Sequence, residues 1–246
     1  MSQASKTYKY NFRIEPQYVD FQSKASLAAI IDILLTTAGD NADTNGFGMR
    51  NLNQINSSWV LLRLAVEMNE FPQQYEDIQV ETWVEDVGKI STTRNFRITN
   101  AENQIIGMAV SIWTMIDITT RRPKYLEELE GIRDFATGIS LPMDKPLKID
   151  AVDTPAVDSF KTKYSHIDIN GHTNSAHYVT WVSDCFSLDT YKTKKIKRFE
   201  INYMHEILFN ELVSIHFTEN ISDDFRFEIK KEGQTACRAR IIFEEI

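Results

Sequence analysis

The feature that most constrains this chain is that it reads as one unit written twice. Residues 26–40 place Leu27, Ile30, Ile31, Leu34 and Leu35 at the i, i+3, i+4, i+7, i+8 spacing of an amphipathic helix, with Ser26 as its N-cap. A polar, glycine-containing loop is expected over 41–48. Extended segments follow at 58–68, 78–84, 92–98 and 105–116. In the second of these, Ile78, Val80, Thr82 and Val84 alternate with Gln79, Glu81 and Trp83, which is the period of a strand. The second half repeats the order. Asn174 caps a predicted helix running to about residue 188, with Tyr178, Val182, Cys185 and Phe186 on one face. Strands are predicted at 198–206, 211–219, 225–230 and 235–243.

Laid over each other, the halves match Asp20-Phe-Gln-Ser-Lys-Ala-Ser26 to Asp168-Ile-Asn-Gly-His-Thr-Asn174, residues 62–68 to 201–207 with Glu67 on Glu206, and 77–83 to 211–217. A long helix followed by an antiparallel meander must bury the helix, and a curved sheet wrapped round it does so. Two such units can join edge to edge and so remove an exposed edge from each. The expected fold is therefore α+β: two helix-plus-antiparallel-sheet units joined into one extended curved sheet. The expected division is 1–130, a linker over 131–157 and 158–246. Gly131, Gly138, Pro142, Pro146 and Pro155 mark the linker as a long surface connection.

Composition narrows the function. The 246 residues carry a net charge of −8, so the chain lacks the cationic surface that broad nucleic-acid binding requires. Two cysteines, Cys185 and Cys237, allow one bridge at most and fit a reducing compartment. Residues 1–10 have no apolar core of the kind a signal peptide needs, and the most apolar stretches, 27–35 and 59–66, fall far short of a ~20-residue membrane span. A cytoplasmic protein is expected, with no membrane partner. HExxH, paired Cys/His zinc spacing, GxGxxG and the Walker lysine loop are all missing from the sequence, so no metal and no nucleotide cofactor is expected.

The chemistry concentrates before the second helix. Asp168, Asn170 and His172 are spaced i, i+2, i+4, which in an extended segment points three polar side chains one way. Such a cluster at a helix N-terminus can orient a base and donate hydrogen bonds to a carbonyl oxygen. An Asx-rich turn that only caps the helix is the other reading of the same residues. The first half has Asp20, Gln22 and Lys24 in their place, as a degenerate or repurposed copy would.

At these residues the sequence resembles the acyl-acyl-carrier-protein (acyl-ACP) thioesterases of plants and bacteria, built as tandem hotdog domains. The pattern D-x-N-x-H-x-N-x-x-x-Y-x-x-W stands here as Asp168, Asn170, His172, Asn174, Tyr178 and Trp181. Tyr203-Met-His-Glu206 matches the family's Tyr-x-x-Glu, and Asn11-Phe-x-Ile14, Gly46-Phe-Gly48, Trp59-Val60 and Ile112-Trp113 look like its first half. The resemblance covers roughly residues 8–242. It implies hydrolysis of fatty acyl-ACP to free fatty acid, terminating chain elongation, without a cofactor. It also implies an acyl-chain pocket in the first hotdog (Leu27, Ile31, Leu34, Trp59) and catalytic residues in the second (Asp168, Asn170, His172, Glu206, with Asn174 binding substrate). Plant members often carry a Cys after the Glu; Ile207 stands there, which argues against a cysteine mechanism. Direct attack by water and a covalent carboxylate route both fit these residues.

The implied partner, acyl carrier protein, is acidic. The densest basic run, Lys192, Lys194, Lys195, Lys197 and Arg198, is the candidate docking patch. A solvated positive loop fits it as well. Monomer and homodimer both fit a fused pair of hotdogs. The competing functions are a hotdog-type acyl-CoA thioesterase, a hydroxyacyl dehydratase and a non-enzymatic acyl-binding protein.

Overall fold

Ser26 accepts a hydrogen bond from the Ala29 N–H at 3.1 Å and so starts the first helix, α1 (Leu27–Thr44), in the computed structural model, which describes residues 6–246. Leu27, Ile30, Ile31 and Leu34 are all buried, as their spacing requires. The helix runs four residues into the expected loop because Asn41 is not a loop residue. Its side chain is buried and accepts a 2.7 Å hydrogen bond from the Arg94 guanidinium, which fixes one more helical turn. A short helix follows, α2 (Met49–Gln54), anchored by buried Leu52.

The residues divide into two compact units, the first ending at Pro146 and the second beginning at Leu147. In the first unit α1 packs with strands β1 (Tyr8–Arg13), β2 (Ser57–Met68), β3 (Asp77–Val87), β4 (Ser91–Thr99) and β5 (Ile105–Asp117). These pair antiparallel in the order β1-β3-β4-β5-β2. Val80, Phe96, Ile98, Leu64 and Ala109 supply the sheet's buried side chains.

The second unit has helices α3 (Ser175–Ser183) and α4 (Leu188–Thr193) and strands β6 (Asp158–Lys161), β7 (Lys194–Tyr203), β8 (Leu212–Ile221), β9 (Asp224–Lys231) and β10 (Gln234–Glu245). Their order, β6-β8-β9-β10-β7, is that of the first unit. The helix expected to reach residue 188 stops at Ser183. Phe186 leaves the helical path to pack its ring 4.8 Å from Phe243 and 4.9 Å from Phe225, and Ser187 then caps α4. The strand expected to end at residue 206 ends at Tyr203. The N–H groups of Met204 and His205 both turn to the Ala236 carbonyl, which takes Glu206 off the ladder.

The likeness extends to single hydrogen bonds. Ser23 and Gly171 both have φ in the left-handed region, as do Tyr75 and Asn210. The N–H groups of Asn69 and Glu70 both reach the Ile106 carbonyl, as those of Met204 and His205 reach Ala236. This match places Phe71, not Glu67, opposite Glu206, and so corrects the alignment of that strand. The match of 20–26 to 168–174 stands.

The segment 131–157 is not a free surface connection. Ile132 packs with Leu126 and Leu129, and the Ile139 carbonyl accepts from the Trp83 indole (2.7 Å) and the Asn95 amide (3.0 Å). Within the second unit, Leu147, Ile149 and Val152 donate their N–H groups to Glu200, Asn202 and Glu228. The segment thus supplies donors to buried acceptors of the second unit.

Candidate active site

The stretch before α3 is a tight turn, not an extended segment. The Asp168 N–H donates to the His172 carbonyl at 2.8 Å and the Gly171 N–H to the Asp168 carbonyl at 3.0 Å. Asp168 Oδ1 accepts from the N–H groups of Asn170 (2.8 Å) and His172 (3.4 Å). Gly171, at φ +78°, supplies the left-handed residue this turn needs. Strand alternation therefore does not place these three side chains on one face. Asn170 sits exposed at the turn, and one Asp168 oxygen is committed to backbone.

Two further backbone bonds set the position of His172. It pairs with Leu208 in an antiparallel bridge, and the Thr173 N–H donates to the Ile207 carbonyl at 2.8 Å. The loop that leaves β7 is thereby laid against the turn, and it carries Glu206. His172 Nε2 lies 3.2 Å from Glu206 Oε2. Their side chains are 27% and 40% exposed, open enough for water and a substrate to reach both. Asn174 donates its N–H to the His166 carbonyl at 2.9 Å, and its Oδ1 accepts from the Ala176 N–H at 2.9 Å, which caps α3. The start of α3, with its partial positive charge, thus lies three residues from His172.

Beneath the helix start, the Tyr203 hydroxyl donates to the Ser175 carbonyl at 3.1 Å, and the Tyr203 and Tyr178 rings lie 5.5 Å apart. Burial pushes both phenols up, so they stay protonated and structural. Burial also pushes the Cys185 thiol up to about 11 and raises that of Cys237. Neither cysteine offers a thiolate near neutral pH. One residue gave no signal in the sequence: Thr173, buried between His172 and Asn174, whose hydroxyl finds no partner among the described residues.

The other histidines have local partners. His166 and His177 lie 4.9 Å apart beside Trp181, and His177 Nε2 bonds the Ser165 carbonyl. Burial, then His177 and Lys163, lower the pKa of His166. His205 bonds the Thr235 carbonyl and His216 the Thr154 carbonyl. A cavity of about 600 Å³ lies beside this group, walled by Phe160, His166, Trp181 and Phe217 among others.

Of the proposed acyl-pocket residues, Leu27, Ile31 and Leu34 are buried together on α1. Trp59 is not with them. It packs on a separate cluster containing Leu52, Met115 and Leu126, and its indole donates to the Phe47 carbonyl at 2.9 Å.

The basic run is not a free cationic patch. Lys192 pairs with Asp189 (2.8 Å), Lys194 with Asp223 and with Glu245 (3.6 Å), Lys195 and Lys197 with Glu244 (3.1 and 3.2 Å), and Arg198 with Glu200 (2.8 Å). Five carboxylates face the five cations, and Arg198 is buried.

Comparison with known proteins places the chain in a family. Residues 5–130 match the acyl-ACP thioesterase N-terminal domain and residues 149–245 the acyl-ACP thioesterase C-terminal domain. A crystal structure of an acyl-ACP thioesterase from Bacteroides thetaiotaomicron superimposes with a TM-score of 0.94 at 40% identity, covering 99% of this chain and 100% of that one. The chain is 25% identical over 241 residues to the chloroplastic oleoyl-acyl carrier protein thioesterase of Coriandrum sativum (89% of this chain, 64% of the relative). It is 24% identical over 213 residues to the chloroplastic palmitoyl-acyl carrier protein thioesterase of Arabidopsis thaliana (81% of this chain, 52% of the relative). It thus spans about half to two-thirds of the length of these plant relatives. The fold of the 12:0-ACP thioesterase from Umbellularia californica is also shared, with a TM-score of 0.85 at 19% identity over 100% of this chain and 100% of that one.

Proposed function

The chain belongs to the acyl-ACP thioesterase family, and from that premise we propose that it hydrolyses the thioester of a fatty acyl chain carried on acyl carrier protein, releasing the free acid and ending elongation. The observation that carries this reading is the 3.2 Å contact of His172 Nε2 with Glu206 Oε2 beside the start of α3. In this reading the thioester carbonyl lies against Asn170 and the N-terminus of α3, where donors stabilise the oxygen as negative charge builds. Glu206 orients His172, and the pair takes a proton from an attacking water. The tetrahedral intermediate then collapses, the C–S bond breaks and the proton passes to the leaving thiolate. Asp168 is a positioning residue: its oxygen holds the N–H groups of Asn170 and His172. That commitment supports direct water attack over attack by Asp168 itself.

In the same proposal Leu27, Ile31 and Leu34, buried on α1, line the acyl-chain slot of the first unit. Each methylene buried contributes ~0.8 kcal/mol, so a medium-length chain adds several kcal/mol of binding. Trp59 is left out of that slot by its own packing. No helix among the described residues is long and apolar enough to cross a membrane.

The test is thiol release by purified protein across chain lengths, from acyl-ACP and acyl-CoA. Faster turnover of acyl-ACP is expected. Preference for acyl-CoA would move the protein to the alternative hydrolase, and release from neither would leave only acyl binding.

A further inference from the structure

We propose that the carrier docks on an apolar, lysine-edged rim that surrounds His172 and Glu206 in the second unit, and not on the basic run; this inference rests on the reading above. The rim consists of Tyr164, Ile169, Leu208 and Phe209, with Lys161 and Lys163 at its edge. Tyr164 is 90% exposed, Ile169 91% and Phe209 63%, unusual values for such side chains. Ile169 lies in the His172 turn, between Asp168 and Asn170. Leu208 is the bridge partner of His172. The Leu208 carbonyl accepts from the Thr162 hydroxyl at 2.6 Å, and the Asn210 N–H reaches the Thr162 carbonyl at 3.3 Å. The segment 208–210 is thereby held beside 161–164.

The duplicated unit forms the same backbone without the part of this surface at Leu208, Phe209 and Lys163. The same backbone positions there hold Pro16, Phe21, Gln73 and Gln74, with Arg13 and Glu15 in place of Lys161 and Lys163. Leu208 and Phe209 stand where the first unit has Gln73 and Gln74, and Lys163 where it has Glu15, while Phe21, 49% exposed, keeps an apolar side chain at the position of Ile169. A thioester on the pantetheine arm of a protein carrier reaches His172 when the carrier docks within that arm's length, and this surface lies within it.

Charge identifies the occupant. An acidic carrier is repelled by a chain of net charge −8 unless a local exception exists. The basic run is matched by five carboxylates of its own unit. Lys161 and Lys163 are exposed and have no carboxylate partner among the described residues. Apolar centre and cationic edge together fit an acidic surface that carries apolar residues.

Three variants test this: Ile169→Ser with Phe209→Ser, Lys161→Glu with Lys163→Glu, and Lys195→Glu with Lys197→Glu as control. Each is assayed on acyl-ACP and on the same acyl group carried by N-acetylcysteamine, and binding to unacylated holo carrier is measured separately. The two rim variants should lose about tenfold or more in kcat/KM on acyl-ACP and in carrier affinity, while staying within about twofold on the small thioester. The control should stay within about twofold throughout. Equal loss on both substrates, or no loss of carrier binding, overturns the docking site. So does a wild-type dimer that the rim variant turns into a monomer, since a second copy would then cover the rim. A wild type that binds carrier through the rim without hydrolysing its thioester leaves the docking site standing and overturns the proposed reaction. Hydrolysis unaffected by the rim variants does the reverse.

Discussion

In residues 20–26 and in residues 168–174 an aspartate accepts two backbone N–H groups, a left-handed residue closes the turn, and a polar side chain caps the helix that follows. Each turn is then held from the side by the loop leaving β2 or β7, through the Ala25 N–H to Pro72 and the Thr173 N–H to Ile207, both at 2.8 Å. The backbones are equivalent and the side chains are not. Lys24 stands where the second turn has His172, and Phe71 where it has Glu206. The aspartate and the cap are thus the fold's share of the motif, and the histidine and glutamate are the share that the proposed hydrolysis uses.

Breaking that division should have the largest effect first. His172→Ala and Glu206→Ala should each lower kcat by ~10²–10⁴-fold, while Lys24→Ala and Phe71→Ala leave it within about twofold, as steady-state kinetics on acyl-ACP would report. A comparable fall from the first-unit changes would put chemistry in both turns.

The aspartates come next. Asp20→Ala and Asp168→Ala should each cost ~1 kcal/mol in denaturant unfolding, because each removes an acceptor from two backbone donors. Only Asp168→Ala should also slow turnover, since only there does a loosened turn displace a working histidine.

A third effect is confined to the second unit and separates folding from chemistry. The bidentate Arg240 guanidinium, at 2.7 and 2.8 Å, holds the Asp224 carboxyl below the usual carboxylate range. An acid depressed on folding stabilises the protein above its unfolded pKa, ~3.9, and that contribution is lost as pH falls through the lower folded value. Asp224→Asn should therefore be less stable than wild type at neutral pH, with the difference shrinking below about pH 4 in pH-dependent melts. A gap that is constant with pH would mean that packing, not charge, is lost. The smallest effect is expected where the basic run is already paired. Lys192→Ala should change stability by less than ~1 kcal/mol, because its partner Asp189 is exposed with it.

Much of the fold is legible in the sequence because strand alternation and the apolar stripe of α1 are local signals. The places where the reading slips have tertiary causes. Asn41 looks like a loop residue until Arg94, 53 positions away, bonds to it. Phe186 fits a helix face until four phenylalanine rings from the sheet draw it out. The strand assignment of Glu206 fails because Ala236 accepts two N–H groups and ends β7 early. The site shows the same pattern. The motif names Asp168, Asn170 and His172, but only the bridge between His172 and Leu208 explains how Glu206, 34 residues on, comes to the imidazole. The docking patch fails for the same reason, since the carboxylates that neutralise the lysines at 192–197 lie partly on β10 and on the turn at Asp223.

The central claim, that His172 and Glu206 act as one unit in the second turn, is tested most directly by a double-mutant cycle in kcat on acyl-ACP. His172→Ala, Glu206→Ala and the double variant are compared with wild type. The result expected is strong non-additivity, the double variant falling little below the worse single. Losses that multiply would show two independent groups and contradict the pair.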